Sequence, residues 1–159
     1  MNRRSTLSLL AIPALALTVL SGTAIAQQAA DMEGAKAASN AFYAALAVID
    51  DGSAMNEIVA HTPYITFAGP RSTSVSVGYD AWSKYWAESN PHFTERTVSL
   101  SDQRIHVTGD LAWEMGQESG SLKFKDGRET QIDYIVTNVY EKIDGHWLMV
   151  SHHVQPKPQ

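Results

Sequence analysis

Residues 130–154 read TQIDYIVTNVYEKI, then DG, then HWLMVSHHV. Two runs rich in β-branched and aromatic residues flank the pair Asp144-Gly145, which is the sequence signal of a β-hairpin with a tight turn. Both faces of the hairpin carry large side chains, so we expect it to be covered on both sides. It also contains the adjacent histidines His152 and His153.

The alternating pattern of this hairpin begins much earlier, at Phe93. It predicts four strands joined by Gly-Asp or Asp-Gly turns, at residues 93–108, 111–125, 130–143 and 146–154. Consecutive strands with short turns form an antiparallel meander.

Helical patterns precede the strands. They predict a helix from about Asp31 to Asp51, a short helix at 53–59 and a third at 81–89, with a brief strand at 64–67 between them. The third helix places Trp82, Tyr85 and Trp86 on one face, as part of the core or as a cavity wall. Helices followed by one long curled sheet indicate an α+β fold.

The first 26 residues have the pattern of a secretory signal peptide: Arg3-Arg4, an apolar run over 7–20, and the cleavage pattern Ala24-Ile25-Ala26. The apolar run is too short for a membrane span, which takes about 20 residues. We therefore expect an exported protein, periplasmic or secreted, with a single domain at 27–159 and no membrane attachment after cleavage.

Composition excludes several classes of function. Without Arg3 and Arg4 the chain has ten basic and 17 acidic residues, a formal charge of −7. An acidic chain with no basic run is a poor binder of nucleic acid or of anionic membranes. Cysteine is absent, which excludes thiol catalysis and requires the core alone to hold an exported fold.

If every turn is a two-residue loop, the strand register follows, and opposed residues share a face. His106 then lies opposite Trp113, Met115 opposite Asn138, and Trp113 opposite Tyr140. In the last hairpin, Tyr140 lies opposite Met149 and Val136 opposite His153. One face collects aromatic and polar residues: Arg104, His106, Trp113, Met115, Gln117, Tyr134, Asn138, Tyr140, Trp147, Met149 and His153. The other face is mainly aliphatic and carries Glu114, Glu118, Asp133 and His152. A bulge in any strand would exchange members between the faces.

Three segments together resemble a known family: GDLAWEMG at 109–116, TNVY at 137–140 and DGHWLMVSHH at 144–153. They are similar to the SnoaL-like branch of the nuclear-transport-factor-2-like superfamily, of which the calmodulin-dependent kinase association domain is a relative. The resemblance covers nearly all of the chain after residue 26.

The resemblance implies a cone-shaped fold, a cystatin-like α+β barrel, with N-terminal helices packed in a strongly curved antiparallel sheet and a cavity at the open end. It also implies a homodimer through the sheet. The family's last strand is similar to Trp-x-Ile-Val-His-x-His, which Trp147, Met149 and His153 match, so the aromatic-polar face is expected to be the inner one. Ser151 and Asn138 depart from the pattern. Relatives often place an arginine at the position of Asn138, so a charge-paired anionic ligand is less expected here.

No motif for metal or cofactor chemistry is recognisable. His152 and His153 point to opposite faces of a strand and cannot bind one ion together, and there is no phosphate loop or serine-hydrolase motif. We expect no metal and no cofactor. His106 and His153 are the candidate catalytic acid/base residues, or else structural histidines held by hydrogen bonds.

Three hypotheses remain open. The first is an exported domain whose aromatic-lined cavity binds a small, largely apolar molecule. The second is a cofactor-independent isomerase, cyclase or hydrolase in the same cavity. The third is a non-catalytic dimerisation module. The predicted ligand-binding residues are Tyr64, Trp82, Trp86, His106, Trp113, Met115, Asn138 and His153.

Overall fold

The computed structural model describes residues 15–158, with side chains from residue 23 onward. Its helices are α1 (Leu15–Leu46), α2 (Ser53–Glu57) and α3 (Tyr79–Ser89), and a 3-10 turn follows at Asn90–His92. Its strands are β1 (Thr66–Ala68), β2 (Ser76–Val77), β3 (Phe93–Thr108), β4 (Leu111–Phe124), β5 (Glu129–Ile143) and β6 (His146–Pro156).

The predicted signal peptide lies partly outside the described residues, which begin at Leu15. From there α1 runs without a break through Ala26, the predicted cleavage position. Among the side chains of α1 that the structure describes, those of residues 23–30 are exposed, and the first buried one is Ala35. Among the described helices, none is both long and apolar enough to cross a membrane.

The first helix ends at Leu46, five residues before the predicted end at Asp51. The reason is the side chain of Asp50, which accepts hydrogen bonds from the backbone N–H groups of Gly52 and Ala54. Aspartate in this role favours a turn and a helix start over a helix interior. The segment after Leu46 therefore caps α2.

The sheet has six strands in the order β2-β1-β6-β5-β4-β3, and it is curved and unclosed. β3 to β6 form the antiparallel meander that the sequence predicts, whereas β1 pairs in parallel with β6. The helices pack on the concave face, where α1 contacts both β3 and β6. Phe42 of α1 and Trp82 of α3, each at most 2% exposed, mark this core. The predicted α+β class is confirmed.

The turn between β4 and β5 is one residue longer than predicted. Phe124 and Arg128 close a loop of three residues, Lys125, Asp126 and Gly127, with the N–H of Phe124 donating to the carbonyl of Arg128 at 2.9 Å. Gly127 has φ +86°, the left-handed conformation that completes this type of hairpin. The pairing consequently shifts by one residue across the whole of β4 and β5.

The shift overturns two predicted pairs. Asn138 lies opposite Glu114, not Met115, and Trp113 lies opposite Val139. A shift of one residue moves every side chain of a strand to the other face. The prediction for β3 and β4, with His106 opposite Trp113, is confirmed, but the pair as a whole faces outward.

A bulge changes the last hairpin in the same way. Tyr140 pairs with Met149 as predicted, but Val139 then pairs with Ser151, which leaves Val150 as an extra residue in β6. Beyond the bulge, His152 lies opposite Asn138, and His153 opposite Thr137. The predicted pair of Val136 and His153 is therefore wrong.

The two sheet faces thus differ in content from the prediction. Trp147 packs over Gly34 of α1 on the concave side, whereas Trp113 is 42% exposed on the convex side. Of the predicted inner residues, Arg104, His106, Trp113, Met115, Gln117 and His153 lie on the outer face, and Tyr134, Asn138, Tyr140 and Met149 lie on the inner face. Glu114, Glu118 and His152, predicted outside, are inside.

Candidate functional site

A cavity of about 360 Å³ lies between the concave face of the sheet, α3 and the loop after β1. That volume is in the range of small-molecule sites. Its apolar lining includes Leu46, Phe67, Tyr85, Trp86, Phe93, Val98, Leu122, Phe124, Ile132, Tyr134 and Val154, and its polar lining includes Arg71, Ser72, Ser89, Arg96, Glu118, Thr130 and His152. The cavity therefore offers aromatic surface with few ionisable groups.

Glu118 is the carboxyl group of this lining. It is 4% exposed, and its Oε1 accepts a hydrogen bond of 3.0 Å from the Tyr43 hydroxyl on α1. Burial raises the pKa of Glu118 to about 7, and the nearby charge of Glu114 adds to the increase, while the Tyr43 hydrogen bond opposes it. Near neutral pH this group can both accept and donate a proton.

Glu114 lies two residues earlier on the same face and is fully buried. Its Oε1 accepts hydrogen bonds from Ser39 at 2.7 Å and from Gln103 at 2.5 Å. Its Oε2 accepts from Asn138 and Tyr140, both at 2.9 Å. Four donors satisfy this carboxylate, so it serves as the centre of a buried polar network.

The network extends to His152. Because Asn138 donates its amide N–H to Glu114, its carbonyl oxygen must accept, and His152 Nδ1 lies 2.7 Å from that oxygen. His152 therefore carries its proton on Nδ1 and leaves Nε2 as an acceptor. Burial lowers the pKa of His152 to about 3, so the ring is neutral. His152 also lines the cavity and can accept a hydrogen bond from a ligand.

Arg96 is the buried cation of the cavity, 5% exposed. Its Nη1 donates to the carbonyl of Leu46 at 3.2 Å, and its Nη2 donates to Asn90 Oδ1 at 2.7 Å. The guanidinium also lies over the rings of Trp86 and Phe93, 5.1 and 4.7 Å from their centroids. Burial lowers the pKa of Arg96 to about 10, which leaves it charged at neutral pH.

The SnoaL-like domain family matches residues 35–155, which include every residue that lines the cavity. The chain belongs to this family. The sequence resemblance is thereby confirmed. No curated protein matches the chain in sequence.

Solved structures share the fold of this SnoaL-like domain. A candidate dehydratase of the nuclear-transport-factor-2-like family from Streptomyces avermitilis has a TM-score of 0.72 and 20% identity, covering 82% of this chain and 99% of its own. A candidate aromatic ring hydroxylase from Novosphingobium aromaticivorans has a TM-score of 0.73 and 14% identity, covering 81% and 90%. A candidate calcium/calmodulin-dependent protein kinase II association domain from Xanthomonas campestris has a TM-score of 0.65 and 22% identity, covering 76% and 83%. Identities this low establish the shared fold alone.

The SnoaL-like domain does not bring the predicted site residues together. Of the predicted ligand-binding set, Trp86 alone lines the cavity. Trp82 and Asn138 are buried in the core and the polar network, and Tyr64 is 51% exposed, with its hydroxyl donating to Glu141. The others lie on the outer face of the sheet: His106, Trp113, Met115 and His153. Their assignment to the inner face is therefore wrong.

Glu118, His152 and Arg96 line the cavity although the sequence pattern does not predict them there. Glu118 and His152 were assigned to the outer face by the two-residue loop and the unbroken last strand. The sequence pattern does not predict which face of the sheet Arg96 lies on. The register places it opposite Leu122, and alternation from Glu118 puts both on the inner face. The available signal is that Arg96 shares one period-two face of the strand with the apolar residues Val98 and Leu100.

The described residues contain no group of three or more histidine, cysteine or acidic side chains placed to bind a metal ion. The ionisable side chains that line the cavity, apart from tyrosine, are the carboxyl group of Glu118, the neutral imidazole of His152 and two guanidinium groups, of which Arg96 is buried and Arg71 is exposed.

Proposed function

We propose that this domain binds a small, ring-containing, largely apolar molecule in the cavity and exchanges a proton with it through Glu118. The observation that carries the proposal is a carboxyl group with a pKa of about 7 in the wall of an aromatic cavity. A group that titrates at the working pH is suited to general acid–base catalysis.

The reaction class that fits is proton transfer at a carbon next to a carbonyl group. The Glu118 carboxylate takes the proton from carbon, the C–H electron pair moves into an enolate, and the carboxyl group returns the proton to the same or a neighbouring carbon. Tyr43 holds Glu118 in place with its hydrogen bond. Isomerisation and cyclisation both include this step. His106 and His153 lie outside the cavity, so the role of base is assigned to Glu118.

The test uses 2-tetralone, a bicyclic ketone with acidic C–H groups next to its carbonyl. The protein in D₂O is expected to accelerate the replacement of these hydrogens by deuterium, followed by proton NMR. Glu118→Gln is expected to reduce that rate by about 100-fold or more, the range for loss of a general base. The control is Glu129→Gln, which changes an exposed acid on β5. Exchange no faster with the unaltered protein than with Glu118→Gln would contradict the proposal.

We also propose export, with removal of residues 1–26. In support of this, residues 23–30 are exposed, and the first buried side chain among those described in α1 is Ala35. The mass of the protein recovered from the periplasm or the medium is expected to correspond to a chain that begins at Gln27. Recovery of the uncleaved chain, from the cytoplasm alone, would show that the proposal is wrong.

We also propose that the protein forms a homodimer through the sheet. Three apolar side chains of β4 lie on the convex face with 42–45% of their surface exposed: Leu111, Trp113 and Met115. A contiguous apolar strip on a sheet face is a common sign of a protein–protein interface. A two-fold axis would pair the strip with its own copy.

The dimer is tested by Trp113→Lys. A charge in the centre of the interface is expected to weaken association by about 30-fold or more, which light scattering coupled to size exclusion measures as a change from twice the chain mass to the chain mass. Val48→Lys is the control, because Val48 is equally exposed but follows α1. A variant that stays as dimeric as the unaltered protein would place the interface elsewhere.

A further inference from the structure

Arg96 is a buried charge without a carboxylate partner. Within residues 15–158, none of the ion pairs at or below 4.0 Å involves this residue. Its two hydrogen-bond acceptors, Leu46 O and Asn90 Oδ1, are neutral groups. The carboxylate of Asp50 does not contact Arg96 directly. It accepts a hydrogen bond of 3.2 Å from Nδ2 of Asn90, which lies between the two residues. Burying a cation costs several kcal/mol unless an anion compensates it.

The same part of the cavity has more donors than acceptors. A guanidinium carries five N–H groups, and the structure shows two acceptors for them. Trp86 Nε1 and Ser89 Oγ are buried and have no hydrogen-bond partner among the described residues. Trp86 and Ser89 both line the cavity with Arg96. Unpaired buried polar groups are rare in folded proteins, and a bound ion or water is one of their explanations.

We propose that the Arg96 end of the cavity, formed by Arg96, Trp86 and Ser89, binds the carboxylate of a small aromatic acid. This inference rests on the proposed function, because the same cavity holds the ligand, and it adds the chemical class of that ligand. It differs from the sequence-based expectation, drawn from Asn138, that a charge-paired anionic ligand is less expected here.

A carboxylate fits this end better than a more highly charged group. Arg96 is the buried guanidinium of the lining, since Arg71 is exposed, and one buried cation balances one negative charge. Its planar fork matches the two oxygens of a carboxylate. The rings of Tyr85, Trp86 and Phe93 line the adjoining wall, which favours a flat apolar body. An acid of about a dozen heavy atoms leaves room in about 360 Å³.

The two ends of the cavity are electrostatically separate. Burial and the charge of Glu114 raise the pKa of Glu118, and the Tyr43 hydrogen bond opposes them. Arg96 lies opposite Leu122, four residues along β4 from Glu118. Arg96 acts on the nearby Tyr85 hydroxyl, whose pKa is raised by burial and lowered by this cation. A ligand anchored by its carboxylate at Arg96 would therefore extend toward Glu118, and its negative charge would stay at the Arg96 end of the cavity.

The structural alternative is that Arg96 only holds the end of α1, through its bond to Leu46 O. The two roles differ in their dependence on ligand charge. The experiment therefore compares 1-naphthoate with 1-naphthamide, which has the same shape and no charge, by calorimetry at about pH 6, where the acid is ionised and Glu118 is mainly protonated. The full chain is expected to bind naphthoate at least about tenfold more tightly than the amide.

Arg96→Gln is expected to reduce that preference to about threefold or less. Lys84→Gln, an exposed change on α3, is expected to leave the preference intact. If Arg96→Gln does not fold, the comparison of the two probes on the unaltered protein decides. Equal binding of acid and amide, binding of neither, or a preference that survives in folded Arg96→Gln overturns the inference.

The two proposals fail separately. Glu118→Gln is expected to keep the naphthoate preference while it loses exchange of 2-tetralone. Exchange without a naphthoate preference would retain the proton-transfer function and remove the carboxylate site. A naphthoate preference without exchange would retain the site and remove the proton-transfer function.

Discussion

Replacing Glu114 by alanine is expected to lower the free energy of unfolding by about 4 kcal/mol or more. The carboxylate is fully buried and accepts four hydrogen bonds, from Ser39, Gln103, Asn138 and Tyr140. Alanine would leave these donors without an acceptor, and each unsatisfied buried donor costs about 1–3 kcal/mol. Urea unfolding followed by tryptophan fluorescence measures the loss.

Two further variants show whether the loss of stability comes from the hydrogen-bond network of Glu114 or from any substitution in β4. Ser119→Ala changes an exposed residue on the outer face of the same strand, away from the proposed dimer interface, and is expected to cost under about 1 kcal/mol. Glu114→Gln keeps the shape but replaces one acceptor by a donor, so we expect an intermediate loss of about 2 kcal/mol. A Glu114→Ala protein as stable as Ser119→Ala would show that the buried donors find other acceptors or water.

Replacement of Glu114 is also expected to affect the cavity, through Asn138 and His152. Asn138 is held between Glu114 and His152, and this arrangement fixes the tautomer of the histidine. In a Glu114→Gln protein the amide of Asn138 is free to turn, because a glutamine can offer it either an oxygen or an N–H group. His152 Nε2 would then no longer be a reliable acceptor in the cavity wall.

The fold was predictable because it depends on features that a sequence displays directly. Alternation from Phe93 onward and the three Gly-Asp or Asp-Gly turns indicate the four strands of the meander, and the structure confirms them within two residues. Hydrophobic period and turn residues are local signals, so they survive small errors in register.

The site was not predictable, because it depends on register. A loop of three residues at 125–127, where two were assumed, and the extra residue Val150 each reverse a face of the sheet. Both features are settled by the packed structure: an Asp-Gly pair fits either loop length, and nothing in the sequence around Val150 marks a bulge. As a result, Glu114, Glu118 and His152 lie on the inner face, where Met115 and His153 were predicted, and Met115 and His153 lie on the outer face.

Glu118→Gln is expected to make the protein more stable than the natural one at pH 8, by about 3 kcal/mol. The reason is that the pKa of Glu118 is raised from its ordinary value of 4.5 to about 7 by burial. Between these two values the folded state binds more protons than the unfolded state, so stability falls as the pH rises from about 4.5 to about 7. A shift of about 2.5 units corresponds to about 3 kcal/mol, and glutamine removes this pH-dependent cost.

The groups that face Glu118 do not change the direction of the expected pH dependence of stability. Tyr43 on α1 donates to its carboxylate, which lowers the pKa, and Glu114 on β4 raises it. Tyr134 on β5 feels the charge of Glu118. His152 on β6 has a lowered pKa and so loses stability as the pH falls from about 6.5 toward 3, but it does this equally in both proteins. The difference between the two unfolding curves therefore isolates Glu118.

The measurement is urea unfolding of both proteins at a series of pH values from about 4.5 to about 8. The difference in free energy is expected to rise in favour of Glu118→Gln through this range and to level off above about pH 7. A difference that stays flat would mean that Glu118 is ionised throughout and has no raised pKa. A rise would show that the natural protein sacrifices stability to keep a titrating carboxyl group in its cavity, the trade expected of a catalytic group and not of a structural one.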